Sequence, residues 1–412
     1  MISNLWKVAH IAGVRGLFGL MLALCVSLTG TAQERVYVLC EGAQDFYSSE
    51  VLEFPSVGVI GLGGEWMEFE ELHSFVGHAF ASDLLVSEDG ARLYVAAEDT
   101  VYVMDAWTGE ILAEQALDGA RKLALHEDRL FVSRGDYDPV TWGSVAFDAY
   151  LVALDAESLS WEADWAADGA AGPAWASEGV RASNGGLFVA VNNAFDFGEE
   201  VGLIGRIDIE SGAYEEVDLG PAGLNPVHLL LSDDGAVVTV NAQQYDGTSL
   251  SRWDGQDAPL TLQVAEVTAG CGAAAWHAGG VLYQVYGEGD FRRADGVTLA
   301  PQDGWSGNGL TVYSMTMMDG DQVLLGMTDF VGSGEVECWN METGSMWTLP
   351  VGVAPGKMVV ASTAMDVPVV QMDRTWLGTY DVMGRPAAPG AAGLTLTRWA
   401  DGRVTKRFTR AD

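Results

Sequence analysis

The chain has 412 residues, a hydrophobic fraction of 49% and a formal net charge of −37. That charge repels nucleic acid and anionic membrane surfaces, so partners of those classes are excluded. The apolar fraction, with 51 glycines and 14 tryptophans, is enough for a sizeable core rather than a disordered chain.

Residues 1–32 read as a secretory signal peptide. Lys7 and Arg15 precede the apolar run Leu17–Val26, and the small residues Gly30, Thr31 and Ala32 follow, with cleavage expected after Ala32. The run is short for a bilayer span, and no later segment approaches transmembrane length. Three of the four cysteines then remain, Cys40, Cys271 and Cys338. An odd number at wide spacing is no disulfide framework, so buried thiols are expected, with a Cys40–Cys338 bridge as the alternative.

From Ser82 the chain repeats one plan. Leu84–Val86 is a short apolar strand, Glu88-Asp89-Gly90 turns, Leu93–Ala97 runs back, Glu98-Asp99 turns, and Val101–Met104 follows. Alternate side chains of such strands face opposite ways, and Asp-Gly supplies the positive φ of a tight turn. Asp105-Ala106-Trp107-Thr108-Gly109 then leads into an outer strand at Glu110–Leu112. The same third turn recurs at Asp155, Asp208, Asp254, Asp295 and Asn340, at intervals of 50, 53, 46, 41 and 45 residues. A four-stranded sheet of this kind cannot cover both faces alone, and radial repetition covers them: a β-propeller. Six repeats are complete. A seventh is split, with Arg35–Cys40 as its second strand, Val51–Phe54 as its third, and Lys357–Ala361 supplied from the far end as its first. The expected fold is therefore all-β, a seven-bladed propeller over residues 33–364, with six or eight blades left open. A small β-appendage over 365–412 follows.

Two long inter-strand loops are acidic. Residues 136–148 carry Asp136, Asp138 and Asp148, and residues 192–200 carry Asn192, Asn193, Asp196, Glu199 and Glu200. Oxygen donors in such numbers suit calcium, but neither loop has EF-hand spacing, and both read first as solvated. The six histidines are scattered, with no HExxH, and Gly304-Trp305-Ser306-Gly307 fails the GxSxG spacing. No catalytic residue, resident metal or required cofactor is assigned. If the propeller has a ligand site, the central funnel is its place, because the innermost strands begin there. The repeat places Asp83, Lys122, Glu178, His228, Cys271, Tyr313 and Lys357 at those beginnings, one per blade. Their mixed charge suits a polar ligand, and equally a ring of mutually satisfied ion pairs.

The last segment reverses the charge. From Arg374 onward seven basic residues stand against three acidic ones (7 − 3 = +4), leaving −41 for the rest (−37 − 4). It reads Trp376–Arg385, with Tyr380, Asp381, Gly384 and Arg385 forming a Tyr-Asp-x-x-Gly-Arg turn. After Gly393 comes a late hairpin carrying Asp401, Gly402 and Lys406.

Those motifs resemble a shortened C-terminal sorting domain of the type IX secretion route of the Bacteroidetes, although Thr395 stands where that family usually has an aromatic. The resemblance implies export to the cell surface or medium and the type IX machinery as a partner. The same residues also suit a small structural appendage. The repeats, Leu93–Ala96 with Val101–Asp105 and Thr108-Gly109, resemble YncE-like, YVTN-type secreted propellers. Tyr37–Gly42 resembles the opening strand of DUF5074-type surface propellers. These imply a non-enzymatic binding scaffold for an extracellular protein or glycan and carry over no catalytic residue. The alternative is a propeller enzyme acting in the central funnel, a quinone-dependent oxidoreductase or a lyase.

Overall fold

The structure, a computed structural model, describes residues 34–362 apart from 46–47, 63–66, 139, 168–171, 184–185, 269, 271, 286 and 308. In the C-terminal segment it describes 376–381, 385–387, 393–399 and 404–409. The expected signal segment, Cys271, Gly384, Asp401 and Gly402 lie outside the described residues.

Seven four-stranded antiparallel sheets form a ring. Numbering the blades in chain order, their innermost strands are Pro355–Ser362, Asp83–Val86, Ala120–His126, Ser177–Ser183, Pro226–Leu231, Ala273–His277 and Ser314–Met317. Blade 1 joins the two ends of the propeller. Pro355–Ser362 pairs with Glu34–Cys40, with Val36 opposite Val360, Val38 opposite Met358 and Leu39 opposite Lys357. The pairing covers the edge that Glu34–Cys40 would otherwise present and gives every blade a neighbour on each side.

Period-2 alternation supplies the packing. In the second strand of blade 2, Leu93, Val95 and Ala97 enter a core shared with Tyr37, Leu39 and Val57 of blade 1. The intervening Tyr94 and Ala96 enter a core shared with Leu123, Leu130 and Val132 of blade 3. The same arrangement recurs between blades 3 and 4, 4 and 5, 5 and 6, and 6 and 7. It closes between 7 and 1, where Leu324, Val336 and Cys338 meet Val36, Val38, Cys40 and Met358. Cys40 and Cys338 share this core as free, buried thiols, so the alternative of a bridge does not hold. Burial pushes the Cys40 thiol up to about 12.

The recurring third turn is built by its first residue. Asp105 Oδ1 accepts the amides of Trp107 and Thr108 and the Thr108 hydroxyl. Asp155, Asp208, Asp254, Asp295 and Asn340 accept equivalent bonds in five further blades. A short side chain ending in an oxygen, bonded to amides two and three residues on, makes a local turn without help from distant packing.

One expected strand is displaced. The third strand of blade 1 is Ser56–Gly61, not Val51–Phe54. Val51–Glu53 instead pairs with Ala43–Gln44 as a separate two-stranded excursion, and Leu52 is exposed there. The glutamate and the following Pro55 break that run, whereas Ser56–Ile60 is buried throughout. Gly58 fits this strand because a Cβ would stand 2.3 Å from the Phe69 ring of the adjoining outer strand. His73 lies on that outer strand, Phe69–Ser74. The C-terminal segment forms a three-stranded antiparallel sheet, Trp376–Asp381, Gly393–Trp399 and Val404–Thr409.

Because successive strands reverse direction, the beginnings of the innermost strands and the connections between second and third strands share one face. That face carries the long loops at 41–55, 135–148 and 192–202, and we call it the loop face.

Candidate functional site: the axial cavity under the loop face

On the loop face the innermost strands surround a cavity of about 310 Å³. Its wall includes Asp83, Lys122, Glu178, His228, Tyr313 and Lys357, six of the seven residues expected there, each from a different blade. Cys271 lies outside the described residues. Arg181 also lines the cavity and was not expected from the repeat.

The reason is a break in alternation. The pairing of first and second strands shifts between Ala120 and Leu123 in blade 3, Ser177 and Gly179 in blade 4, and Pro226 and His228 in blade 5. In blade 1 it shifts opposite Gly356, where Cys40 pairs Pro355 and Leu39 pairs Lys357. A bulge inserts an extra residue and re-aims its neighbours. Four of the seven innermost strands thus bulge where they reach the cavity, and Glu178 and Arg181, three residues apart, both line it.

The polar groups form connected pairs. The Asp83 carboxylate accepts the amides of Leu84 at 3.0 Å and Leu123 at 2.8 Å and lies 3.3 Å from Lys357 Nζ. Burial opposes its charge, but Lys357, Lys122 and Arg181 prevail and hold its carboxyl below the ordinary range. Glu178 Oε1 accepts Arg121 Nε at 3.2 Å and Nη2 at 3.0 Å, and its Oε2 lies 3.7 Å from Lys122 Nζ. Lys122 Nζ also donates to the Ser82 carbonyl at 2.8 Å. Asp83 raises the Lys357 pKa, yet burial and the charges of Arg181 and Lys122 outweigh it and leave the amine below the usual lysine range. His228 Nε2–H donates to the Gly272 carbonyl at 3.0 Å, and burial, followed by the charges of Lys122, Lys357 and Arg181, lowers its pKa to about 4. The ring is therefore neutral at pH 7.

Glu41 is the second residue that the repeat did not indicate. It reaches the cavity wall from the loop after the second strand of blade 1, where its Oε2 accepts the Tyr313 hydroxyl at 2.6 Å. Gly356 makes room for it, since a Cβ there would stand 1.9 Å from Glu41 Oε1. Burial raises the pKa of this carboxyl.

Aromatic side chains of the loops adjoin the cavity wall. Arg121 lies 5.0 Å from the Phe195 ring centroid and 5.7 Å from that of Phe80. Tyr313 meets the exposed Phe330 edge-on at 5.0 Å. Beyond them Tyr137 stacks on Trp142 at 5.6 Å, and Phe197 on Tyr245 at 6.0 Å. Phe197 is 82% and Trp142 54% exposed.

The acidic loops use their carboxylates locally. Asp138 accepts the amides of Val140 and Thr141, and Glu200 accepts that of Gly198. Among the described residues no three His, Cys, Asp or Glu side chains are grouped to hold a metal ion. No helix among them is long and apolar enough to cross a membrane.

No family model matches this chain, and no curated protein matches it. Solved structures similar to it include a functionally unknown protein from Desulfotomaculum acetoxidans, 9% identical, with a TM-score of 0.51 over 80% of this chain and 99% of that one. The hydrazine synthase of Kuenenia stuttgartiensis is 12% identical, with a TM-score of 0.48 over 80% of this chain and 95% of that one. The dihydro-heme d1 dehydrogenase NirN, in complex with DHE, is 16% identical, with a TM-score of 0.49 over 80% and 75%. At such identities the likeness concerns the fold alone, and the blade count rests on this chain's own seven sheets.

Proposed function

We propose that this protein is a secreted, non-enzymatic β-propeller whose loop face holds a polar extracellular ligand, a glycan or a protein segment, in and around the axial cavity. The observation that carries this reading is the continuity from buried ion pairs to exposed stacked aromatics on one face. Polar groups at the bottom of a concavity fix a ligand's orientation, and aromatic rings at its margin supply contact area. A binding role is favoured over catalysis because Asp83 and Glu178 are each already paired with a cation. The signal-like start and the tail resembling a type IX sorting domain support export to the cell surface or the medium.

Chemistry in the same cavity is the second reading, and one feature favours it. Glu41, with a raised pKa and bonded to Tyr313, and neutral His228 in the wall are perturbed groups of the kind from which a lyase draws an acid and a base. A quinone-dependent oxidoreductase draws no comparable support.

Fractionation of cells expressing the full-length protein and a version ending at residue 364 tests the export half. The full-length protein is expected at the surface or in the medium and the shortened one in the periplasm. Equal distribution of the two would remove the sorting role of the tail and move the protein to the periplasm.

A further inference from the structure

The axial cavity is a cationic island in an acidic molecule. Lys122, Arg181 and Lys357 line it beside Asp83 and Glu178, and Arg121 pairs with Glu178 from the adjoining loop side. Four cations thus accompany three carboxylates, Asp83, Glu178 and Glu41, and each of the three is already engaged, Glu41 by the Tyr313 hydroxyl. Asp83 is filled by two backbone amides and Lys357. Glu178 is held by both Arg121 nitrogens. Arg181 differs, since its guanidinium donates to the Val180 carbonyl at 2.8 Å and, among the described residues, has no carboxylate paired with it.

The position of Arg181 sharpens the point. Arg181 and Lys357 line the loop-face cavity and also a larger, open chamber of about 1070 Å³, walled by the first strands of blades 1 to 4 and by acidic residues at the turns beyond them, among them Glu88, Asp89, Asp128, Asp155 and Glu157. These two cations therefore stand where the two spaces meet, reachable from the axis. Like charges held together in a partly buried wall repel, and that repulsion, after the larger effect of burial, contributes to the lowered pKa of Lys357. A bound anion would relieve it, while a bound cation would add to it. The molecule's overall charge of −37 gives no such preference, so the cavity's sign is a local property of these residues.

Resting on the reading of the axial cavity as the binding site, we infer that it takes an oxyanion, the carboxylate or phosphate group of a larger ligand, seated between Arg181, Lys357 and Lys122. Arg181 supplies the planar fork that matches two oxygens, and the two lysines supply point charges. Glu178 limits affinity, because its charge faces the same space.

Calorimetric titration of the full-length protein with inorganic phosphate, glucuronate and glucose, at constant ionic strength set by chloride, tests the inference. Phosphate or glucuronate is expected to bind and glucose is not, and the tighter of the two oxyanions identifies which group the cavity suits. Arg181→Gln is expected to weaken binding by about tenfold or more. Glu178→Gln is expected to strengthen it by about fivefold, since a competing negative charge is removed. That gain of affinity is a result no purely structural role would give, and it decides the matter if Arg181→Gln fails to fold. Arg129→Gln, which removes a surface pair with Glu162 on blade 3, should leave binding unchanged. Glucose binding as tightly as glucuronate, or oxyanion affinity unmoved by Arg181→Gln and lowered by Glu178→Gln, overturns the oxyanion inference. Binding of a neutral oligosaccharide at the cavity, with neither oxyanion bound, would also overturn it, while sparing the cavity as a binding site. Failure of every ligand class there would remove both.

Discussion

The spaces between blades and the space on the axis are built by opposite rules. Between blades, the second and third strands pair without a shift, so Leu93 and Val95 face one neighbour while Tyr94 and Ala96 face the other. On the axis the alternation is broken at four innermost strands, and charged side chains occupy the wall. Regular pairing buries apolar surface on both sides of every blade and provides the stability. The bulges use part of that stability to hold polar groups in a place where each needs a partner. Removing one partner of a buried pair such as Asp83–Lys357 would strand the other charge, which typically costs about 3–5 kcal/mol. The cavity thus depends on its geometry no less than the core does, but through specific pairs rather than through area.

The strongest way to break this contrast is to open the ring. A version ending at residue 364 keeps Pro355–Ser362, whereas one ending at residue 354 removes it, together with Lys357 and the partner of Val36, Val38 and Leu39. The first should unfold in urea with one cooperative transition. The second should lose that transition, because it exposes the cores of blades 7 and 1 together and forfeits a stability of about 5–15 kcal/mol, the usual range for a native domain. A cooperative transition of undiminished midpoint in the shorter version would mean that closure contributes little.

How much of this contrast the residues reveal in advance follows from the same two rules. The blade plan is legible because alternation and the turn residue recur. Asp105, Asp155, Asp208, Asp295 and Asn340 end a third strand and Asp254 directly follows one, as their spacing indicates. The closing strand is legible as well, since Lys357–Ala361 has the apolar run that the split blade lacks. Six cavity residues follow from their place in the repeat alone. Arg181, Arg121 and Glu41 do not. A bulge leaves no reliable mark in a single sequence, and counting by twos puts Arg181 on the face opposite Glu178. Glu41 depends on a contact across 272 residues, its bond to Tyr313, which no local pattern encodes. The third strand of blade 1 is misplaced for a related reason: Val51–Phe54 and Ser56–Ile60 both look like strands, and what separates them is tertiary, the burial of Ser56–Ile60 and the packing of Gly58 against Phe69.

Acid titration sharpens the comparison on the cavity side. In the unfolded chain an imidazole titrates near 6.5, whereas His228 in the fold titrates at about 4. Between those values the unfolded chain binds a proton that the folded chain refuses, so stability is full above pH 6.5 and falls as pH drops toward 4. The loss attributable to His228 is about 3 kcal/mol across that window. Glu41 works in the opposite sense, since its raised pKa makes the fold take up a proton before the unfolded chain does. His228→Gln keeps a donor for the Gly272 carbonyl and removes the titration. Urea midpoints measured at pH 7 and pH 4.5 should converge for this variant relative to the parent, and an unchanged difference would mean that His228 is solvated in both states.

The smallest expected effect belongs to the turns, where neither core nor cavity is involved. Asn340 Oδ1 accepts the Glu342 amide at 3.0 Å, the Thr343 amide at 2.9 Å and the Thr343 hydroxyl at 3.1 Å. The turn is exposed, so water replaces those bonds when the side chain is shortened, and only the local preference for turning is lost. Asn340→Ala should therefore lower stability by about 1 kcal/mol, visible as a small shift of the urea midpoint with an unchanged slope. Asn340→Asp should restore it, because the equivalent residue in five other blades is an aspartate accepting the amide three residues on. If the aspartate variant were no better than alanine, the recurrence of this residue would reflect something other than the turn. If alanine cost several times more, the turns would be part of the packing between blades rather than local punctuation.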